Sequence, residues 1–164
     1  SIFLSFTDWN FLSGFEGIKW VGLSNFSDLL EDRTFIQAVG NTFIYTIATV
    51  PVSILIALIL AYLLNEKVYL KTPLRLCFFI PYISSAVALA AVFKVLFREN
   101  GPINMFCQHV LQMETPPAWF ADSSLNKIPI IIFLIWTAIG YELVIYMAAM
   151  QNISPSLYEA AEID

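Results

Sequence analysis

Few side chains in this 164-residue sequence can do chemistry, and they fall into two groups. The first sits in a long apolar stretch and comprises Trp136, Tyr141, Glu142 and Tyr146. A carboxylate in hydrocarbon costs a few kcal/mol or more, so Glu142 is expected to face other protein rather than lipid. It then serves either as a ligand contact or as a structural hydrogen bond between helices. The three rings either stack on a ligand or pack and anchor their helix. The second group closes the sequence: Tyr158, Glu159, Ala160, Ala161, Glu162 and Asp164. Ser154 followed by Pro155 fits an N-cap with proline at the first helical position, and Ser156 with Glu159 fits a capping box. A short helix is therefore expected from about residue 155. On it Leu157, Ala160, Ala161 and Asp164 share one face, and Glu159 and Glu162 a neighbouring one. Alanines let a partner backbone come close, and the glutamates offer charge-assisted bonds to a basic partner.

Other chemistries are poorly supplied. His109 stands in a polar stretch, and Cys77 and Cys107 are far apart, so neither a disulfide nor a metal framework is implied. No His, Cys or carboxylate cluster gathers at one depth, as a membrane-embedded enzyme would need. Only six glycines occur and no phosphate-binding loop is formed, so no cofactor or nucleotide site is expected. A net charge of −5 without a basic patch argues against nucleic acid.

The elements that must position these residues are apolar blocks. The chain is 59% hydrophobic and 13% charged, against about 25% charged in a soluble domain. Its mean hydropathy is +0.73. The blocks at about 41–64, 77–97 and 128–150 are long enough to cross a hydrocarbon core of about 30 Å. Pro51 and Pro81 fall inside the first two, where neighbouring helices can satisfy the freed carbonyls. The run Ser84-Ser-Ala-Val-Ala88 suggests a close helix approach. Residues 26–38 suggest a short amphipathic helix with Ser24 or Asn25 as its cap. Residues 1–6 read as the tail of one more apolar helix, and both ends look cut.

Orientation follows from basic residues. The short loop 65–76 holds Lys67, Lys71 and Arg75, so it is expected in the cytoplasm. Loops 8–40 and 98–127 are then external, with two Lys or Arg each over longer lengths. Residues 151–164 return to the cytoplasm. Lys94, near the external end of its span, is expected to snorkel. Trp119 and Phe120 suggest an interfacial belt or a docking patch. An external thiol reagent is expected to reach Cys107 and spare Cys77.

The segment Tyr158-Glu-Ala-Ala-Glu-Ile-Asp164 resembles the EAA loop of ABC importer permeases, the inner membrane components of binding-protein-dependent transport systems. Gly140-Tyr-Glu-Leu-Val-Ile-Tyr-Met-Ala-Ala-Met-Gln-Asn-Ile-Ser-Pro155 is similar to the approach to that motif in carbohydrate-type permeases. So are Ser5-Phe-Thr-Asp8, Val21-Gly-Leu-Ser-Asn-Phe26, Asn41-Thr42 and Phe78-Phe-Ile-Pro81. The subgroup it resembles is the first permease of maltose, multiple-sugar and glycerol-3-phosphate importers. Glu142 departs from that pattern, where a neutral residue is common.

The resemblance implies an all-α polytopic transmembrane bundle of the type I importer class, present as part of one permease domain. It implies alternating access in the bacterial inner membrane, with lipid around it. Partners would be an ATP-binding subunit gripping the helix from about 155, a second permease subunit, and an extracytoplasmic solute-binding protein. ATP hydrolysis would lie on the partner, so the chain itself would be no enzyme. Tyr158, Glu159, Ala160, Ala161 and Asp164 would form the coupling interface. Glu142, Tyr141, Trp136 and Tyr146 are the candidate pathway residues, the rings being able to stack on a sugar. The alternative is an ion-coupled carrier or channel, which needs relays of buried charge. Here Glu142 has no second intramembrane charge beside it.

Overall fold

The computed structural model describes residues 2–10, 12, 14, 17–65 and 71–154. The helix expected from about 155 therefore lies outside the described residues. Two compact units divide the chain, at residues 1–44 and 45–164.

In the first unit a 3-10 turn at Phe3–Phe6 leads into a two-stranded antiparallel ladder. Strand β1 (Thr7–Asp8) pairs with β2 (Lys19–Trp20), Thr7 opposite Trp20 and Asp8 opposite Lys19. This ladder interrupts the otherwise helical fold. Phe6 stacks on Trp20 at 5.6 Å and tilts against Phe26 at 5.4 Å. Helix α1 (Ser24–Glu31) has no side-chain cap at its start, unlike the expected Ser24 or Asn25 cap. Asn25 instead donates its amide to the carbonyls of Ser5 (2.9 Å) and Thr7 (3.1 Å), tying α1 to the ladder. The helix expected over 26–38 breaks at Asp32, whose backbone is extended. Its carboxylate accepts the Thr34 amide at 2.7 Å, which starts the next helix.

That next helix, α2 (Arg33–Asn65), begins eight residues ahead of the expected span and runs on through Pro51. Its 33 residues make it about 50 Å long. Two helices, α2 and α6 (Lys127–Gln151), are each long and apolar enough to cross a bilayer. Between them lie α3 (Lys71–Ile83), α4 (Ala86–Leu96) and α5 (Pro102–His109). The expected span 77–97 is not one helix: α3 and α4 are bent by 99° at their junction.

In the second unit the buried positions form matching stripes. On α2 they are Ser53, Ala57, Ala61 and Leu64; on α6, Ile139, Gly140, Leu143 and Met147. Ala61, Leu64, Leu143 and Met147 form the core cluster, with Phe78 and Tyr146 packed on its edge. The opposite faces are apolar too, with Ile47 69% and Leu55 58% exposed, as suits a chain whose surroundings are lipid or other helices. The tightest crossing is α3 on α6. A Cβ at Gly140 would fall on the carbonyl oxygen of Phe78 and within 3.1 Å of Phe79 Cα. Small residues permit such backbone contact between membrane helices. Of the Ser84–Ala88 run, Ser84 and Ser85 form the α3–α4 break and Ala86, Val87 and Ala88 begin α4.

The segment after α4 is organised by one buried amide. Asn104, 1% exposed, donates to the carbonyls of Glu99 and Pro117, both at 3.1 Å. It accepts the Trp119 indole N–H at 2.6 Å. Trp119, partly exposed, packs edge-on against Phe97 at 5.5 Å. Phe120 stays exposed. Cys107 is buried and Cys77 exposed, so labelling of Cys107 would report access as well as sidedness.

Gly140→Val must push α3 off α6, because backbone cannot yield as a side chain can. Overpacking of this kind costs about 1–3 kcal/mol. The full-length protein carrying it should melt at lower temperature in detergent than the parent. Gly40→Ala, where an added Cβ meets nothing within 4 Å, is the matched control and should melt no lower.

Candidate functional site

The α3–α4 break has a local cause. Pro81 has no N–H to offer the preceding turn, which weakens the helix there. Two serines then close it. The Ser84 amide and hydroxyl both donate to the Ile80 carbonyl, at 3.1 and 2.7 Å, and end α3. Ser85 is extended, and its carbonyl accepts the Leu89 amide at 3.0 Å to begin α4. Broken helix inside a membrane is tolerated where it is buried in protein or lines a cavity.

Such a cavity is present. A groove of about 510 Å³ lies at the break, walled by α2, α6 and the α3–α4 junction. Its polar lining includes Tyr45, Thr46 and Thr49 from α2, Tyr82 and Ser84 from the break, and Thr137 from α6. Two of these hydroxyls, on Ser84 and Thr137, are occupied by carbonyls of their own helices. Thr137 donates back to Phe133 and Leu134 carbonyls, at 3.0 and 3.1 Å. Thr49 differs: its hydroxyl is buried and has no partner among the described residues.

One helical turn beyond the groove, α2 and α6 meet through a polar pair. Ser53, 1% exposed, donates its hydroxyl to Glu142 Oε1 at 3.0 Å. Glu142 Oε2 is buried without a hydrogen-bond partner among the described residues. The carboxylate thus turns inward between helices, with a hydroxyl as its neighbour where the sequence offered no second charge.

The other sequence-derived candidates do not converge on it. Tyr141 is 47% exposed and stacks on Tyr82 at 4.9 Å, which links it to the groove's wall. Trp136, 40% exposed, packs against Phe93 at 5.4 Å, on the α4 side. Tyr146 packs on the core cluster. Tyr158, Glu159, Ala160, Ala161 and Asp164 lie outside the described residues.

Sequence reasoning missed Thr49, Ser53, Tyr45, Tyr82 and Thr137. A signal for the first three was present. Tyr45, Thr49 and Ser53 recur every four residues in an apolar helix and continue into Ala57 and Ala61, which is one helix face. Tyr82 and Thr137 carry no comparable signal, because only the break and the α3–α6 crossing bring them to the same groove.

Among solved structures, a bacterial ABC transporter that imports the acidic polysaccharide alginate aligns with a TM-score of 0.71 at 24% identity, over 88% of this chain and 51% of that one. The same kind of transporter, in complex with an alginate pentasaccharide-bound periplasmic protein, gives 0.74 at 23%, over 87% and 50%. These share the fold. The lactose transport system permease protein of Rhizobium radiobacter is 38% identical over 148 residues, which is 90% of this chain and 50% of that protein. The multiple sugar-binding transport system permease protein of Streptococcus mutans is 30% identical over 99% of this chain and 54% of its own length. The chain thus spans about half the length of the curated relatives it matches. Residues 31–164 match the family described as binding-protein-dependent transport system inner membrane component. The chain, helical and built around apolar spans, belongs to that family of membrane permeases.

Proposed function

We propose that this chain forms part of the solute pathway of an ATP-driven importer for sugars or related small polar solutes. The observation that carries the reading is the groove at the α3–α4 break, mostly apolar with Tyr, Thr and Ser side chains set in its wall, in a chain of this family. A polyhydroxylated solute crossing a bilayer needs donors and acceptors that replace its water, and Thr49 on the groove wall carries a buried hydroxyl with no partner among the described residues. Relatives named for lactose and multiple-sugar transport support a carbohydrate. The partners in this reading are an ATP-binding subunit, a second permease subunit and an extracytoplasmic solute-binding protein, in a bacterial inner membrane. The periplasmic protein bound to the alginate transporter supports the last of them. ATP is hydrolysed on the ATP-binding subunit, and the permease is no enzyme. An ion-coupled carrier is less well supported, because Glu142 meets a serine and not a second charge.

The pathway reading is tested at Thr49. Thr49→Leu removes the hydroxyl and fills the groove with apolar volume. Uptake of the best-imported sugar among lactose, maltose and raffinose should fall at least tenfold in the complete complex, at parental protein levels. Parental uptake would count against the groove.

The topology in this reading puts 65–76 and 151–164 in the cytoplasm and 8–40 and 98–127 outside. The buried Cys107 is a poor reporter, so Gln108→Cys, at an exposed position, replaces it. An impermeant thiol reagent applied to intact cells should label position 108 and spare Cys77. The reverse pattern overturns the orientation.

Coupling in this reading runs through the helix from about 155. Ala160 and Ala161 sit against the ATP-binding subunit, and Glu159 bonds a basic group there. Loss of one partner of a buried charged bond costs about 2–5 kcal/mol, well over tenfold in affinity. Glu159→Ala and Ala160→Trp should insert normally but co-purify poorly with the ATP-binding subunit, or hydrolyse ATP without transport. If both variants bind and transport like the parent, this helix does not couple.

A further inference from the structure

We infer that Glu142 makes the pathway selective by charge, accepting neutral or amino-bearing sugars and turning away acidic ones. The inference rests on reading the groove as solute pathway. Three observations carry it. First, among the described residues the groove lining holds no Lys, Arg or His. An acidic sugar that sheds water there meets no cation to replace it, and burying an unpaired charge is costly. Second, Glu142 lies one turn along α6 from Ala138, which lines the groove, and its partner Ser53 lies one turn along α2 from Thr49. Third, the pair is short of donors. The one Ser53 hydroxyl proton lies between the Val50 carbonyl at 3.2 Å and Oε1 at 3.0 Å, and Oε2 is buried with no donor among the described residues.

Glu142 is not in the groove lining and its Oε2 is buried, so a solute in the groove meets its charge through space and not by contact. An ammonium group there is drawn toward that charge, and a neutral sugar is indifferent to it. A carboxylate or phosphate carries a like charge, and the repulsion acts at long range where the dielectric is low. The alginate importers share this chain's fold and carry an acidic solute, so the fold itself permits either class. On α6 between Lys127 and Gln151 the single ionisable acid is Glu142, which makes it the feature that distinguishes this wall.

The test uses the complete complex of full-length permease, its permease partner, ATP-binding subunit and binding protein, reconstituted in vesicles. Initial uptake is compared for lactose, lactosamine and lactobionate, as neutral, amino and acidic probes. The parent should import lactobionate at less than one tenth of the faster of the other two. Glu142→Gln, which supplies an amide donor, should raise the acidic-to-neutral ratio at least tenfold. Glu142→Asp, which keeps the acid, should leave that ratio within twofold. Equal uptake of acidic and neutral probes by the parent overturns the inference, and that comparison needs no variant to fold. An assembled Glu142→Gln complex with an unchanged ratio overturns it as well. Failure of the pathway reading is seen separately, in Thr49→Leu.

Discussion

The second unit depends on a backbone-to-backbone contact that only glycine allows. Where α6 crosses α3, Gly140 lies on the Phe78 carbonyl with no room for a side chain. In lipid the hydrophobic effect does little to draw helices together, so close packing and interhelical hydrogen bonds must hold them. Fixing α3 against α6 at this depth puts Pro81, Tyr82 and Ser84 beside Thr137, and these residues share the groove. The same stretch of α6 presents Leu143 and Met147 to Ala61 and Leu64 on α2. One small residue therefore governs both the core and the cavity.

A second constraint is that polar groups in an apolar setting need partners. Several side chains meet it locally, although the buried Arg75 Nε has no partner among the described residues. Thr137 and Ser84 return their protons to carbonyls on their own helices. Asn104 spends both sides of its amide on three neighbours and so fixes the segment between α4 and α6. Two side-chain atoms near the groove break the pattern, Thr49 Oγ1 and Glu142 Oε2. Unmet hydrogen-bonding capacity of that kind is destabilising unless something else completes it.

The family could be read from the chain's own residues, because the EAA-type segment and the approach to it are written as contiguous strings. The apolar blocks were equally plain, since hydropathy is additive along the chain. The site was only half legible. Glu142 stood out because a lone acid in an apolar block is costly. Thr49 and Ser53 were passed over although their four-residue spacing marks one helix face. Trp136, Tyr141 and Tyr146 looked equivalent as aromatics, yet they point to different neighbours, because a helix turns about 100° per residue.

By itself, then, the sequence determined that this is an apolar, helical membrane chain with one acid inside its last span. Those properties follow from composition and from short-range pattern. Tertiary structure decided what the acid meets, where the helix between Lys71 and Leu96 breaks, and which hydroxyls share a cavity. It also decided that Cys107 is buried and that the Trp119 indole is bound to Asn104, in a segment that reads as loop. The physical reason is distance along the chain. Ser53 and Glu142 are 89 positions apart, and no local rule of propensity or periodicity reaches that far. Only the packing of α6 on α2 and α3 brings them within a hydrogen bond.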